Sequence, residues 1–200
     1  MDKFSYAIGL GIGQNLLSMG TKGLVVDDFA QAIKDVLENN KTVITHTEAR
    51  DIVNKYFSEM EEKMSAANIE LGEKFLEENK NRPGVVTLPS GLQYEVINEG
   101  KAGKNATIND QVKCHYEGTL IDGTLFDSSI KRGQPAVFGV GQVIPGWVEA
   151  LQLMPEGAKW KLYIPSSLGY GAQGAGEMIP PHSTLVFEVE LLEILSQNTK

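Results

Sequence analysis

The chain has 200 residues, 42% hydrophobic, 22% charged and 8% aromatic, a composition that suits one large globular domain or two small ones and excludes disordered or collagen-like chains. Its formal net charge of −8 is spread evenly, with 10 basic against 14 acidic residues up to position 83 and 8 against 12 beyond it, so neither half offers the basic face that nucleic acid requires. The single cysteine, Cys114, allows no intrachain disulfide, and stability has to come from a hydrophobic core.

Residues 6–17 are apolar and about as long as a signal-peptide core. The preceding Met1-Asp2-Lys3 carries no net positive charge and Ser18-Met19-Gly20 is a poor cleavage site, so the stretch reads as a helix over 5–18. Tyr6, Leu10 and Leu17 lie on one side of it and Ile8, Ile12 and Leu16 on another, which demands burial from several directions. Gly9, Gly11 and Gly13 each cost about 0.8–1 kcal/mol relative to alanine in such a helix. They are no dinucleotide fingerprint, because Gln14 stands where the third glycine is needed and no strand precedes them. Gly9 and Gly13 share a face and would let another helix come close; the alternative is tolerated flexibility near a terminus.

A second helix over 27–39 places Phe29, Ile33, Val36 and Leu37 on one stripe. A third starts at Thr45, which has capping-box spacing to Glu48, and runs without a breaker to about residue 80, roughly 50 Å at 1.5 Å per residue. Its first half has a full apolar face (Ile52, Val53, Tyr56, Phe57, Met60), whereas its second keeps a thin row of Met64, Ala67, Leu71 and Phe75. This pattern predicts an anchored base, a mostly solvated stalk and pairing with a second chain through residues 1–60; a compact monomeric three-helix bundle is the alternative. Asn81-Arg82-Pro83-Gly84 ends the helix and separates a helical domain, 1–82, from a second domain, 83–200.

Beyond Gly84 short alternating runs separated by Gly, Asp, Asn and Pro predict antiparallel strands at 92–97, 111–120, 124–128, 136–139, 158–164 and 184–194. The last puts Leu185, Phe187, Val189 and Leu191 on one face and Glu188 and Glu190 on the other. One short helix, 147–153, is entered through Pro145-Gly146 and stopped before Pro155. The fold class is therefore α+β: a helical arm with a long connecting helix, then a curved antiparallel sheet around one short helix. No stretch reaches the roughly 20 apolar residues of a membrane span, and a soluble cytoplasmic chain is the expectation, a periplasmic or exported one the alternative.

Several chemistries have no residues to carry them. Cys114 and His115 are strand neighbours that point to opposite faces and cannot form a dyad. The three histidines are scattered and no Cys/His or paired-acid spacing suits a metal, so no metal and no cofactor are expected. Residues 169–174 match the letters G-x-G-x-x-G, but Ile179-Pro180-Pro181 follows where a phosphate-binding helix is required. What remains is Tyr116, Phe126, Phe138, Trp147, Tyr170 and Phe187 at strand ends and loops, with Asp127 directly after Phe126. On physical grounds these residues suggest a β domain with an aromatic pocket, or simply its core.

The second half resembles the FKBP-type peptidyl-prolyl cis-trans isomerases from about Leu88 to Leu195. The resemblance rests on Val112-Lys-Cys-His-Tyr116-Glu-Gly118, Asp122-Gly123-Thr-Leu-Phe126-Asp127, Val143-Ile144-Pro-Gly146-Trp147, Tyr170-Gly171-Ala and Ile179-Pro180-Pro181-His-Ser-Thr-Leu185, in that order. The front half resembles the dimerisation arm of the bacterial Mip-like branch. The resemblance implies a rotamase that binds proline-containing peptides and unfolded chains as a homodimer, with chaperone-like activity; a holdase or peptide-binding module with incidental isomerisation is the alternative. It implies Trp147 as the floor under the proline ring, Tyr116, Phe126, Phe138, Val143 and Phe187 as walls, and Ile179 as a cap. Ile144 would offer its backbone N–H and Tyr170 its hydroxyl, and Asp127, bonded to Tyr116 and paired with Arg132, would act electrostatically. Tacrolimus-type macrolides are candidate ligands, although Ala136, Ala175 and Met178 depart from eukaryotic relatives and put peptide preference and macrolide affinity in doubt.

Overall fold

The computed structural model describes residues 1–101, 103 and 105–195. Helices α1 (Lys3–Ser18), α2 (Val26–Leu37) and α3 (His46–Asn79) precede strands β1 (Val85–Thr87), β2 (Gln93–Asn98), β3 (Gln111–Leu120), β4 (Leu125–Ser128) and β5 (Ala136–Gly139). Helix α4 (Pro145–Leu153) and strands β6 (Lys159–Ile164) and β7 (Leu185–Leu195) complete the chain. Packing divides it into two compact units between Lys55 and Tyr56, inside α3, whereas the composition shift falls at residues 81–84.

In the first unit α1 is capped by Asp2, whose Oδ1 accepts the Ser5 N–H at 2.8 Å, and the helix starts two residues earlier than its periodicity suggests. It buries no residue: Phe4 is 73% and Leu17 80% exposed. Ile8, Ile12 and Leu16 of α1 face Phe29, Ile33 and Leu37 of α2 across an apolar cleft of about 610 Å³. No described atom lies within 4 Å of a Cβ built at Gly9, Gly11 or Gly13, so the close approach these glycines allow is not used within the chain.

The capping box of α3 forms as its spacing predicts. Thr45 N–H donates to Glu48 Oε2 at 2.8 Å and Glu48 N–H donates to Thr45 Oγ1 at 3.2 Å. The second half of the helix departs from the expected solvated stalk. It belongs to the second unit and packs Asn68, Gly72, Phe75, Leu76 and Asn79 against the rest of it, with Gly72 and Asn79 buried, while Met64 and Leu71 stay exposed. Amide bonds hold this face: Asn79 Nδ2 donates to Gln93 Oε1 at 2.8 Å, and Gln93 Nε2 to the Leu76 carbonyl at 2.9 Å. Arg82 Nη1 donates to Asn79 Oδ1 at 2.8 Å and to the Tyr163 hydroxyl at 2.9 Å. Glycine and amides carry no hydrophobic periodicity, and of the expected apolar row Phe75 falls on this face, 6.0 Å from the Tyr163 ring, while Met64 and Leu71 do not.

The second unit is a seven-stranded antiparallel sheet in the order β1-β2-β6-β7-β3-β4, with β5 also on β3. β3 pairs with β7 from Gln111 to Leu120, and its other edge is shared by β5, opposite 111–114, and β4, opposite 117–119. β1, three residues long, is an element the alternation did not announce. Along β3 Val112, Cys114, Tyr116 and Gly118 are buried, and along β7 Leu185, Phe187, Val189 and Leu191, as alternation requires. α4 puts Trp147, Ala150 and Leu151 into this core. Gly146 permits the close fit: a Cβ there would lie 2.7 Å from the Ile164 side chain.

Candidate active site

At the open end of this core lies a cavity of about 610 Å³. β3 supplies Tyr116, β4 Phe126 and Asp127, β5 Phe138, and β7 Phe187; Val143 and Ile144 lead into Trp147 on α4, and Tyr170 and Ile179 come from the loop after β6. Ten of the eleven anticipated residues thus line one cavity, although neighbours such as Phe126 and Asp127 ordinarily face opposite ways. An irregularity in the β3–β4 pairing at Gly118/Thr119 twists the strand there and lets both reach the cavity. Arg132 does not line it but bonds two residues that do, Asp127 and Tyr116.

Trp147 is 4% exposed and meets three rings edge-on: Tyr116 at 5.4 Å and 86°, Phe138 at 5.5 Å and 80°, Phe187 at 5.2 Å and 82°. Each such pair is worth about 0.5–1.5 kcal/mol beyond its buried area. Phe126 stands edge-on to Phe187 at 5.4 Å. Gly118 beneath them is necessary, because a Cβ there would come within 2.6 Å of both Phe126 and Phe187.

One charged cluster borders these rings. Tyr116 Oη donates to Asp127 Oδ2 at 2.5 Å and accepts from Arg132 Nη2 at 2.7 Å, while Arg132 Nη1 donates to Asp127 Oδ1. The guanidinium also lies over the Tyr116 ring, 5.5 Å from its centroid. Burial by itself would raise the Asp127 carboxyl, but the bonds from Tyr116 and Arg132 outweigh it and hold the group below the usual carboxylate range. Burial, reinforced by the Asp127 bond, pushes the Tyr116 phenol upward. Burial and the Asp127 charge do the same to Tyr170.

The signs of these shifts fix a pH profile. A carboxyl held low stays ionised until the pH falls through its depressed value, and phenols held high stay protonated until well into the alkaline range. Turnover is expected to be flat between about pH 5 and pH 9 and to fall only below about pH 4. A stopped-flow profile with a bell centred near neutrality would refute a purely electrostatic Asp127.

Cys114 is buried and burial pushes its thiol up to about 12, so it is a core residue and no nucleophile. His115 turns the other way, with Nδ1 3.1 Å from Ser129 Oγ. Among the described residues no three His, Cys, Asp or Glu side chains group around a point that could hold a metal. Three lining residues carried no signal in the sequence: Gln142, Gly176 and Glu177 sit outside any strand or α-helix. Ala175 and Met178 line the cavity, whereas Ala136 packs on the core instead.

Comparison with known proteins agrees with this architecture. The family described as FKBP-type peptidyl-prolyl cis-trans isomerase matches residues 102–192, and the domain amino terminal to FKBP-type peptidyl-prolyl isomerase matches residues 1–96. The FKBP-type 22 kDa peptidyl-prolyl cis-trans isomerase of Escherichia coli (strain K12) is 49% identical over 96% of this chain and 94% of its own. The outer membrane protein MIP of Legionella longbeachae is 41% identical over 96% and 85%. The crystal structure of FkpA from Escherichia coli superposes with a TM-score of 0.78 at 35% identity, covering 96% of this chain and 95% of that one. No helix among the described residues is long and apolar enough to cross a membrane, and the expected cytoplasmic location finds no support among these relatives, one of which is named an outer membrane protein. With full-length relatives at this identity and an aromatic cavity built from the residues of the matching motifs, the chain belongs to the FKBP-type peptidyl-prolyl cis-trans isomerases and accelerates rotation about bonds to proline.

Proposed function

We propose that the cavity over Trp147 is the place where the proline ring binds and the preceding bond rotates, and that the chain works as a homodimer on unfolded proteins. The observation that carries the first part is the almost fully buried indole ringed by three edge-on aromatics in a cavity open to the surface. Rotation about Xaa-Pro breaks amide resonance across a barrier of about 18–20 kcal/mol. Water favours the polar planar amide over the less polar twisted one, so a pocket that replaces water by rings favours the twisted state, and no nucleophile is required. In this reading Trp147 is the floor, with Tyr116, Phe126, Phe138, Val143 and Phe187 as walls and Ile179 as cap. The Ile144 N–H and the Tyr170 hydroxyl hold substrate carbonyls. The planar amide places extra negative charge on its oxygen, and the ionised Asp127, oriented by Tyr116 and Arg132, disfavours that form when the oxygen is near.

The exposed apolar faces of α1 and α2 support pairing of two arms through residues 1–60, which would bring two pockets to one unfolded chain and raise their effective concentration. Tacrolimus-type macrolides would compete for the same cavity, with Ala175 and Met178 setting their fit.

Asp127→Leu tests the catalytic assignment and separates it from holding. Loss of this charge is expected to lower kcat/KM on a Leu-Pro peptide at least about tenfold, equivalent to ~1.4 kcal/mol, with suppression of aggregation unchanged. Undiminished peptide isomerisation by the variant would remove Asp127 from the mechanism and favour a peptide-binding module whose isomerisation is incidental.

A further inference from the structure

The loop between β6 and β7 supplies a whole side of the cavity: Tyr170, Ala175, Glu177, Met178 and Ile179. Ile179 is 6% exposed and is its innermost apolar contribution. Loops of this length are usually free to move. This one is tied on itself by an antiparallel bridge in which the Ala175 N–H donates to the Ile179 carbonyl at 2.9 Å and the Ile179 N–H to the Ala175 carbonyl at 3.1 Å. The His182 N–H donates to the Gly171 carbonyl at 2.8 Å, and His182 adopts φ 57° to do so, a conformation uncommon outside glycine. These bonds fix the loop's shape but not its position against the pocket.

Burial of Ile179 in the core seats the inner side of the loop, and α3 holds it from outside. Asn68 Nδ2 donates to the Pro181 carbonyl at 2.8 Å, across 113 residues of sequence and two residues beyond Ile179. One turn further along the same helix face Gly72 is buried against Thr184: a Cβ at Gly72 would collide with Thr184 Oγ1 and lie 3.3 Å from Thr184 Cβ. A hydrogen bond and a side-chain-free contact therefore hold both ends of the 181–184 segment to one helix. We infer that α3 is the outer brace of the pocket loop and that Asn68 is a positioning residue, acting through Pro181 to keep Ile179 over the bound proline. Asn68 does not line the cavity, and its role rests on the reading of the Trp147 cavity as the proline site.

The test uses the full-length protein and cis-to-trans kinetics of a Leu-Pro peptide. Asn68→Ala removes the bond, and Asn68→Asp keeps the shape while removing the donor. Both are expected to raise KM about two- to tenfold, the range set by one hydrogen bond, with kcat changed less than about twofold. Asn68→Gln, which retains an amide donor, is expected to return KM to within about twofold of the parent protein. Trp147→Ala measured alongside distinguishes the two readings. If Trp147→Ala has lost activity while both Asn68 variants keep the parental KM, the brace is refuted and the pocket stands. If the Asn68 variants lose kcat in proportion to folded protein with KM unchanged, Asn68 is structural only and the inference is again refuted. If Trp147→Ala keeps full activity, the proline site lies elsewhere and the brace falls with it.

Discussion

Trp147→Ala is expected to lower kcat/KM for Leu-Pro peptides on the order of 10- to 100-fold and to destabilise the second unit by about 3–5 kcal/mol. The first effect follows from the loss of the apolar surface on which a proline ring would rest, since burying a ring of that size is worth about 1.5–3 kcal/mol. The second follows from three edge-on partners, Tyr116, Phe138 and Phe187, left facing a void in a core that packs with little slack. Trp147→Phe separates the two, because it keeps most of the packing while shrinking the floor. The decisive comparison is kcat/KM per folded molecule, with the folded fraction taken from a denaturation curve. A parental value in Trp147→Ala at equal folded fraction would show that the indole is only core.

Removing residues 1–55 is expected to leave a monomer with near-parental activity on tetrapeptides and an activity at least about tenfold lower on proline-limited refolding of a whole protein. Linked sites gain effective concentrations in the millimolar range without any new contact, and that gain disappears with the arm. The place of the cut matters. The division near Pro83 that composition suggests would also remove Asn68 and Gly72, which meet the loop before β7, and Phe75 and Asn79, which meet the sheet, whereas a cut between Lys55 and Tyr56 spares them. Phe75 alone stands 6.0 Å from the Tyr163 ring. Light scattering reports the mass, and refolding at matched pocket concentration reports the activity. Equal refolding rates for fragment and full chain would leave the arm without a role in catalysis on unfolded proteins.

Much of the second unit is legible before any coordinates, because its physics is periodic. β3 alternates from Gln111 to Gly118 and β7 from Phe187 to Leu191, and Pro145-Gly146 announces α4. What escapes is short or polar. β1 has three residues, too few for a period of two to stand out. The docked face of α3 includes Asn68, Gly72 and Asn79 beside Phe75 and Leu76, and a hydrophobic count ignores the first three even though their hydrogen bonds and close approach help decide where the helix sits. The cavity divides the same way. Its rings follow from β patterning as a cluster, but that Phe126 and Asp127 enter it together depends on a local irregularity that no periodicity encodes, and motif resemblance rather than spacing linked them. Arg132 belongs to the site only through its bonds to Tyr116 and Asp127. Gln142 and Glu177 entered as loop residues without any pattern of their own.

The lengths of the outer strands have a consequence for a protein that acts on peptide chains containing proline. An unfolded chain is the kind of molecule that adds itself to a bare sheet border by main-chain pairing, and a long border would seed co-aggregation. Here the sheet stops at a three-residue strand on one side and at two four-residue strands on the other, while the long strands β3 and β7 are enclosed between neighbours. A passing polypeptide finds too few consecutive backbone partners to zip onto the enzyme. Such a border favours local contact at the cavity over extended strand pairing.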